Sequence, residues 1–334
     1  MHIKHVAATL IITGLFFMNF NTISLVRQPA LNYSCVCSLK HPTPNNGSLI
    51  GFYNMFEGDT EPFQRITQEQ IDFIDASNLP FKSISYTYFG AHAATYRVPS
   101  QKPYWTRSER SNATGNEGVT LQALYEHCLN HQDDQVMYFH SKGSYHTHHR
   151  NDLLRQNLMK ALVACFDTSA LLTHDMCGLR ISPAPHPQYS GNMWHASCRY
   201  IAKLLPPETF EAAMNDIPTP SCPDWAVAQN RFAYEHWAVS HPSLTASDVL
   251  PSDQPYVWAY NNLPDPASWT PQLSTFPRPE LASSFYFENT DVMHCSFKSH
   301  RVRQYELLYG KQAELPCSSM ACHHMTVRML FQLA

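Results

Sequence analysis

The spacing of apolar residues along the chain predicts strands that alternate with helices. Residues 49–56 and 81–89 are runs of strand length that are rich in aromatic and β-branched side chains. Between them, apolar residues at helical spacing predict a helix over residues 67–77, with Thr67 as its N-cap and Asn78 as its stop. The succession of both periods indicates a chain that builds a sheet and covers it with helices.

The same alternation continues to about residue 239. Residues 136–139 form a short apolar run typical of a buried strand, and residues 151–168 carry apolar side chains at helical spacing. Weaker patterns predict a strand over 176–181 and helices over 121–130, 200–205, 208–214 and 225–239. The stretch 92–118 is irregular, and 240–295 is interrupted by prolines. We therefore expect an α/β fold, with a mixed sheet and helices on both of its faces, in a single domain.

The N-terminus bears on the compartment in which the protein resides. Lys4 and His5 precede an apolar stretch over residues 6–20, which continues more weakly to Val26. Through Val26 it reaches the ~20 residues of a membrane-spanning signal anchor, whereas its clear core has the length of a cleaved signal peptide or a buried helix. An anchor and a signal peptide would both place the rest of the chain in the secretory lumen. We divide the chain into a membrane segment (1–26), a stem (27–48) and a folded domain (49–334).

Two further features agree with a secretory location. Asn32, Asn46 and Asn112 each begin an N-glycosylation sequon in a segment rich in small polar residues. The 10 cysteines are an even number, and an oxidising lumen would allow them to pair. Their connectivity cannot be deduced from the sequence, but Cys317 and Cys322 are close enough to staple a C-terminal turn, and we predict this pair.

Composition narrows the class of protein. The net charge is −4 and the basic residues are scattered, so we expect no nucleic-acid partner. Charged residues make up only 15 % of the chain, which has 19 histidines and 24 prolines. This balance favours a loop-rich globular enzyme over a helical bundle or a disordered protein.

Two short motifs carry most of the functional signal. Residues 136–143 read as a buried strand that stops at a basic, glycine-containing turn, and ligands of open α/β sheets bind at the carboxyl ends of strands. Residues 189–194 read as a turn of small residues beside an exposed Trp194, suited to close approach of a ligand and to stacking on a sugar. Together the two motifs indicate a nucleotide-sugar enzyme.

These motifs, with others in the same order, resemble a group of poorly characterised glycosyltransferase-like proteins. The resemblance spans about residues 50–240, and its most specific parts are the His-Ser-Lys-Gly and Ser-Gly-Asn-Met-Trp sequences. It also includes the segments 52–54, 69–71, 175–178 and 231–237. The group implies a GT-A fold, in which a Rossmann-like nucleotide-binding half is fused to an acceptor-binding half. Related sequences often have two tryptophans where this chain has Trp194 and His195, a difference that could alter acceptor contacts.

Transfer of a sugar from a nucleotide donor requires the charge of the leaving diphosphate to be neutralised. Many GT-A enzymes use an Asp-x-Asp motif after a central strand to hold Mn²⁺ or Mg²⁺, but here that position has no carboxylate. Asp133 and Asp134 precede the strand, at the opposite end of the sheet, and a solvated turn explains them. Lys142 is the leading candidate for direct neutralisation, against the alternative of a surface lysine in a turn. His140 could donate to a phosphate oxygen or ligate a metal, and Ser141 belongs to the same donor-binding turn.

Four further residues complete the candidate donor site. Gly143 would let the backbone approach the phosphates, or would merely end the strand. Arg150 or Arg155 could reach the pyrophosphate or the acceptor, or both could lie exposed on a helix face. Asp175 could bind a ribose hydroxyl or a metal, or could serve only in a helix-to-strand turn.

The candidate acceptor side comes from the second motif and from a later helix. Gly191, Asn192 and Trp194 form a platform for a sugar, with a loop-anchoring, buried tryptophan as the alternative. Glu235 lies one predicted helical turn after Arg231. It would act as the base for the acceptor hydroxyl if its pKa is raised, or would form a structural ion pair with Arg231.

Other chemistry receives less support. Asp224 precedes the same predicted helix and is a candidate N-cap or a second candidate base. The histidine clusters at 146–149 and 323–324 match no zinc-binding spacing, and no serine-hydrolase elbow occurs. No cofactor is required by the sequence, although Mn²⁺ or Mg²⁺ stays an option.

The function that these residues predict is glycosyl transfer. The donor would be a nucleotide-diphosphate sugar, and the acceptor a glycan, glycoprotein or glycolipid. We expect the catalytic domain in the lumen of the Golgi or the ER, held by the N-terminal membrane segment, with secretion as the alternative. A catalytically silent glycan-binding protein on the same fold is the second hypothesis.

Overall fold

Strands and helices alternate along the chain, as predicted. A computed structural model describes residues 47–58, 60–145, 148–182, 188–189, 191–216, 229–241, 243–250 and 263–276, all within one unit. The strands are β1 (Leu49–Phe56), β2 (Phe81–Phe89), β3 (Trp105–Arg107), β4 (Gln135–His140), β5 (Met176–Gly178), β6 (Ile181–Ser182), β7 (Gln188–Tyr189), β8 (Trp194–Ser197), β9 (Ala246–Asp248) and β10 (Ser274–Phe276). The α-helices are α1 (Thr60–Ser77), α2 (Glu117–Asn130), α3 (His149–Asp167), α4 (Cys198–Ile201), α5 (Pro207–Asn215) and α6 (Tyr234–Trp237).

A mixed sheet of eight strands forms the centre of the described fold, in the order β10-β9-β5-β8-β4-β1-β2-β3. β1 pairs in parallel with β2 on one side and with β4 on the other. β8 runs antiparallel between β4 and β5, so its first residue lies beside the carboxyl end of β4. The chain builds outward from β1 to β3 and then returns to the other side of β1. This reversal creates a switch point at the carboxyl ends of β1 and β4, where open α/β sheets bind ligands.

Side-chain alternation along β1 divides the apolar core between the two faces of the sheet. Leu49, Tyr53 and Met55 pack in one cluster with α1 and α3. Ile50 and Phe52 pack in a second cluster with α2, α4, α5 and α6. Burial of each large apolar side chain stabilises the fold by about 1.5–3 kcal/mol. The helices on both faces, which the sequence predicts, are therefore confirmed, and the α/β arrangement is compatible with a Rossmann-like fold.

Two disulfides cross-link this architecture. Cys128 at the end of α2 is bonded to Cys198 at the start of α4, and Cys165 of α3 is bonded to Cys177 of β5. The expectation that cysteines pair is confirmed for these four. Because such bonds persist in oxidising surroundings, they indicate a secretory-type compartment.

Most of the early elements lie where the sequence predicts them, but the predicted start of the first helix is wrong. β1 and β2 have the predicted bounds, and α3 and α5 match the predictions for 151–168 and 208–214 to within a residue or two. α1 begins at Thr60, so the predicted N-cap Thr67 lies inside the helix, where its hydroxyl donates to the carbonyl oxygen of Phe63 at 2.9 Å.

The predicted start of α2 is also wrong, and this error concerns a residue of the candidate functional site. The helix begins at Glu117 and not at residue 121, because the side chain of Asn116 caps it by accepting from the backbone N–H of Gly118 at 2.9 Å. Glu117 therefore lies in the first turn of a helix and not in an irregular segment.

Three weaker predictions need correction as well. The predicted strand 176–181 is two separate strands, β5 and β6, and the helix predicted over 200–205 is the shorter and earlier α4. Within the described part of 225–239, the chain forms a 3₁₀ turn at Asn230–Ala233 and the single-turn α6, not one long helix.

Several predictions fall on residues that are not described. These are the membrane segment 1–26, nearly all of the stem, Asn32, Asn46, Asp224 and the pair Cys317 and Cys322. Asn112 is described and exposed, so its sequon is accessible. None of the described helices is both long and apolar enough to cross a membrane.

Candidate functional site

A pocket opens at the switch point between β1 and β4. Its volume is about 490 Å³, in the range of small-molecule sites. β1 contributes Asn54 and Phe56, and the end of β4 with the following turn contributes His140, Ser141 and Lys142. Further wall residues include Asn116, Glu117, Ser144, Tyr145, Arg231 and Glu235. The turn of the first motif therefore lines a pocket at the carboxyl end of β4, the end of the strand at which the sequence predicts ligand binding.

Hydrogen bonds fix the turn that carries Lys142. The backbone N–H of Ser141 donates to the carbonyl oxygen of Asn54 at 3.0 Å, and the Ser141 hydroxyl accepts from the N–H of Phe56 at 2.9 Å. Gly143 has a φ of +98°, a left-handed conformation that strains any residue with a Cβ. Ser141 and Lys142 thus line the pocket, while Gly143 shapes the turn.

The pocket combines two cationic with two carboxylic side chains. Burial raises the pKa of both Glu117 and Glu235 above the ordinary glutamate value. The positive charges of Lys142 and Arg231 lower both pKa values, but offset only part of the effect of burial. Lys142 and Arg231, which can bind anions, therefore lie in the same pocket as two glutamates that take up protons more readily than a glutamate in water.

Glu117 is held in place from two sides. Its Oε2 accepts a hydrogen bond from the hydroxyl of Tyr138 at 3.0 Å and one from the side-chain amide of Asn192 at 2.7 Å. Its position in the first turn of α2 also favours a negative charge, since the N-terminus of a helix carries partial positive charge. Glu117 is therefore an oriented carboxyl group in the pocket wall.

Glu235 differs from Glu117 in its contacts. Among the described residues, no hydrogen bond or ion pair to the carboxyl group of Glu235 is found. The alternative prediction, a structural ion pair between Glu235 and Arg231, is therefore wrong. The negative charge of Glu117 further raises its pKa. A carboxyl group without such a partner, with a raised pKa and facing a pocket, meets the requirements of a general base.

His140 is neutral and oriented. Its Nε2 lies 2.7 Å from the carbonyl oxygen of Gly191, an acceptor, so Nε2 must carry the proton. Burial, reinforced by the charge of Lys142, lowers the pKa of His140 to about 4. Because its one N–H is already used, His140 in this form cannot donate to a phosphate, and that part of the prediction needs correction.

The second motif lies at the same edge of the sheet, but it supports the pocket wall and does not line it. Gly191 and Asn192 both have positive φ, +85° and +49°, and so form a tight turn before β8. Asn192 is 2 % exposed. Its amide donates to Glu117 and its Oδ1 accepts from Nε1 of Trp194 at 2.9 Å. This turn therefore orients Glu117 and His140, and the prediction of a sugar platform is corrected.

Trp194 is part of the core. Its side chain is fully buried, with Tyr138 at a ring-centroid distance of 5.4 Å and Trp237 at 6.4 Å. It has no face to offer a sugar, so the alternative prediction of a loop anchor is confirmed. His195 is also buried, and its Nε2 contacts Oε1 of Gln135 at 2.9 Å, at the opposite end of β4. It is thus remote from any acceptor bound in the pocket.

Three other candidates lie away from the pocket. Arg150 is exposed on the first turn of α3, outside the pocket lining. Asp175 precedes β5, at the edge of the sheet opposite the pocket, and its Oδ2 accepts from both the N–H and the hydroxyl of Thr245 at 2.8 Å. Its alternative role in a turn is the one observed. Arg155 is neither exposed nor in the pocket, but completely buried.

Glu117 and Tyr145 are wall residues that the sequence reasoning missed. Tyr145 is 66 % exposed, and its ring meets that of Phe56 edge-on at 5.9 Å. Among the described residues of the pocket wall, Tyr145 therefore presents a large aromatic side chain to the solvent. For Glu117, an N-cap asparagine followed by an acidic residue was a usable signal of a helix start.

Comparisons with known proteins assign no activity to the pocket. The model of a family described as a domain of unknown function (DUF8361) matches residues 52–319, a range that includes every wall residue named above. No curated protein matches the chain. Among the described residues, no group of three or more His, Cys, Asp or Glu side chains is arranged to hold a metal ion.

Proposed function

We propose that the chain, which belongs to the DUF8361 family, is a GT-A-type glycosyltransferase. It would move a sugar from a nucleotide-diphosphate sugar to a hydroxyl group of a glycan, glycoprotein or glycolipid. The observation that carries this proposal is the meeting of Lys142 and Arg231 with Glu117 and Glu235 in one pocket at the switch point of the sheet. The two disulfides support the lumen of the Golgi or ER as its site of action, whether the protein is membrane-bound or secreted.

The two cations suit the donor. When the bond between the sugar and the diphosphate breaks, negative charge develops on the leaving phosphate oxygen. Lys142 and Arg231, which both line the pocket, would neutralise that charge, and the low dielectric constant of the surrounding protein would strengthen their effect. No step requires a metal ion in this scheme, because the two side chains supply the positive charge.

Glu235 suits the acceptor. Its carboxylate takes the proton of the attacking hydroxyl group, the hydroxyl oxygen bonds to the anomeric carbon, and the diphosphate leaves with the electron pair of the broken bond. The raised pKa of Glu235 makes it a stronger base than an ordinary glutamate. Glu117, fixed by Tyr138 and Asn192, keeps that pKa high through its negative charge.

Tyr145 takes the role that the sequence analysis assigned to Trp194. Its exposed ring at the pocket wall offers a face on which a sugar or a nucleobase can stack. The edge-on contact with Phe56 orients the ring before a ligand arrives, which reduces the entropy lost on binding.

The test is release of a nucleoside diphosphate by the purified full-length protein. A panel of nucleotide-diphosphate sugars is offered with a glycan mixture, with and without EDTA. We expect one donor to turn over in an acceptor-dependent way, Lys142→Met to lower kcat by about a hundredfold, and Glu235→Gln to abolish turnover. The matched control is Asp133→Asn, at an exposed position at the end of the sheet opposite the pocket. A folded protein that binds glycans but turns over no donor would support the glycan-binding alternative instead.

The pair of carboxyl groups also favours a second candidate, hydrolysis of a glycosidic bond. In that reaction one carboxyl group acts as acid and the other as base or nucleophile. Release of free sugar from aryl glycosides without any nucleotide, unaffected by Lys142→Met, would support hydrolysis over transfer. Activity with nucleotide-sugar donors alone, strongly reduced in Lys142→Met, would support transfer.

A further inference from the structure

The most densely bonded ionic group near the pocket is Arg155, which does not line it. Its side chain is 0 % exposed. Nε and Nη2 donate to Oε1 and Oε2 of Glu69 at 3.2 and 2.9 Å, and Nη2 also donates to Oδ1 of Asp152 at 2.8 Å. Burial of a guanidinium group is unfavourable unless it is paired, and these two carboxylates meet that requirement.

The remaining terminal nitrogen of Arg155 reaches the turn that carries Lys142. Nη1 donates to the carbonyl oxygen of Lys142 at 3.0 Å. Gly143 packs against the same group, since a Cβ on this glycine would lie 3.2 Å from Nη1. The guanidinium group therefore lies directly beneath the turn. It connects the turn to α3, which carries Arg155, and to α1, which carries Glu69.

We propose that Arg155 is the positioning residue of this turn: it fixes the backbone of Lys142, so that the ammonium group meets the donor diphosphate, without touching the ligand itself. This inference rests on the proposed function for the identity of the ligand, but not for the geometry. Because a fully buried side chain outside the pocket lining cannot contact a ligand, any effect of Arg155 on binding must pass through the residues that it touches. Of the three hydrogen-bond partners given above, Lys142 is the one that lines the pocket.

The chain offers a matched control in Arg65. Its guanidinium group pairs with the same two carboxylates, Glu69 at 3.9 Å and Asp152 at 3.4 Å, but it is half-exposed, and among the described residues no hydrogen bond or ion pair joins it to the turn. Loss of Arg65 weakens the ionic cluster alone. Loss of Arg155 weakens the cluster and releases the turn.

The experiment compares Arg155→Lys with Arg65→Met in the full-length protein. Arg155→Lys keeps the buried charge but cannot reach both carboxylates and the carbonyl of Lys142 at once. We expect its KM for the donor to rise by about tenfold, the effect of losing one charge-assisted hydrogen bond, with the KM for the acceptor unchanged. A purely structural role would lower kcat through a smaller active fraction and leave both KM values unchanged. Equal effects of the two variants would overturn the proposal.

A second measurement does not depend on catalysis. Lys142 is labelled with pyridoxal 5′-phosphate and borohydride, and its rate of labelling is compared with that of Lys82 by peptide mass spectrometry. We expect Arg155→Lys to change the rate at Lys142 severalfold and Arg65→Met to leave it unchanged. If the wild-type protein turns over no donor, the proposed function fails while this result still decides the positioning role. An unchanged rate in Arg155→Lys overturns it. Should that variant not fold, Glu69→Gln, which loosens the guanidinium group, provides the same test.

Discussion

The side-chain amide of Asn192 donates to Oε2 of Glu117 at 2.7 Å, which joins the second sequence motif to a carboxyl group in the pocket wall. The neighbouring carbonyl oxygen of Gly191 accepts from His140, the last residue of β4. The two motifs therefore meet at one edge of the sheet, but they have different roles. The first lines the pocket, and the second holds the side chains of the wall in place.

This division of roles distinguishes Tyr145 from Trp194. We expect Tyr145→Ala to raise the Kd or KM of the pocket ligand by about threefold to tenfold, because an exposed stacking contact is lost, and to leave stability unchanged. We expect Trp194→Phe to lower the free energy of unfolding by about 2 kcal/mol, through lost packing and the lost hydrogen bond to Asn192, with ligand affinity unchanged.

Urea unfolding and ligand titration, applied to both variants, check this pair of expectations. Phe56→Leu is a useful addition, since it removes the edge-on partner of Tyr145 but retains the apolar side chain. Its effect on affinity should be in the same direction and smaller. A Trp194→Phe protein with weakened binding and wild-type stability would contradict the assignment of Trp194 to the core.

The parts of the fold that could be predicted are those in which one short pattern decides the outcome. β1 is a nearly continuous apolar run of strand length, β2 alternates apolar with polar residues, and the polar turn that follows the buried run of β4 was expected at the end of the sheet. Lys142 was found in this way. The start of α2 was missed because its first turn, from Glu117 to Thr120, carries no apolar stripe and depends on the cap at Asn116.

Other features depend on tertiary contacts that no local pattern reveals. The sequence around Trp194 is the same whether its ring faces a ligand or the core, and its burial depends on tertiary packing, including contacts with Tyr138 and with Trp237 of α6. Likewise, the spacing of Arg155 on α3 suits an exposed helix face. Its burial follows from the presence of Glu69 on a helix distant in sequence. The role of a polar residue is therefore harder to predict than its position along a strand or helix.

The carboxyl pair makes the pH dependence of activity informative. Glu235 must be deprotonated to act as a base, so activity falls as the pH falls through its raised pKa. We expect the acid limb of kcat/KM to lie above the ordinary glutamate value. Since the negative charge of Glu117 raises this pKa, Glu117→Gln should move the limb to lower pH. Since the positive charge of Lys142 lowers it, the residual activity of Lys142→Met should show a limb at higher pH.

Profiles of kcat/KM between pH 4 and 9 for the three proteins provide the measurement. Opposite displacements in the two variants are the expected result, and they cannot arise from a general loss of folded protein. Displacements in the same direction, or none, would show that Glu235 is not the group that titrates.

The two disulfides should differ in their contribution to stability. Cys128 and Cys198 are separated by 70 residues, and Cys165 and Cys177 by 12. In the chain-entropy account, the longer loop loses more freedom in the unfolded state, so replacing both cysteines with alanine should cost about 4 kcal/mol for the first pair and about 3 kcal/mol for the second. Urea unfolding of the two double variants and of the wild-type protein measures the difference. A larger loss for the short loop would show that packing of α3 on β5 outweighs loop entropy.

Buried His195 should make the protein less stable in acid. Burial lowers its pKa to about 3, whereas in the unfolded chain a histidine titrates near 6.5. Between these two pKa values the unfolded state binds one proton that the folded state does not bind. The free energy of unfolding therefore rises with pH across this window, and the increase due to His195 is complete above the pKa of the unfolded state. The contribution amounts to ~5 kcal/mol across the window. His195→Phe and His195→Gln should both reduce the slope, although they pack differently. Unfolding measured from pH 3.5 to 7.5 tests this, and an unchanged slope in both variants would mean that His195 does not titrate on unfolding.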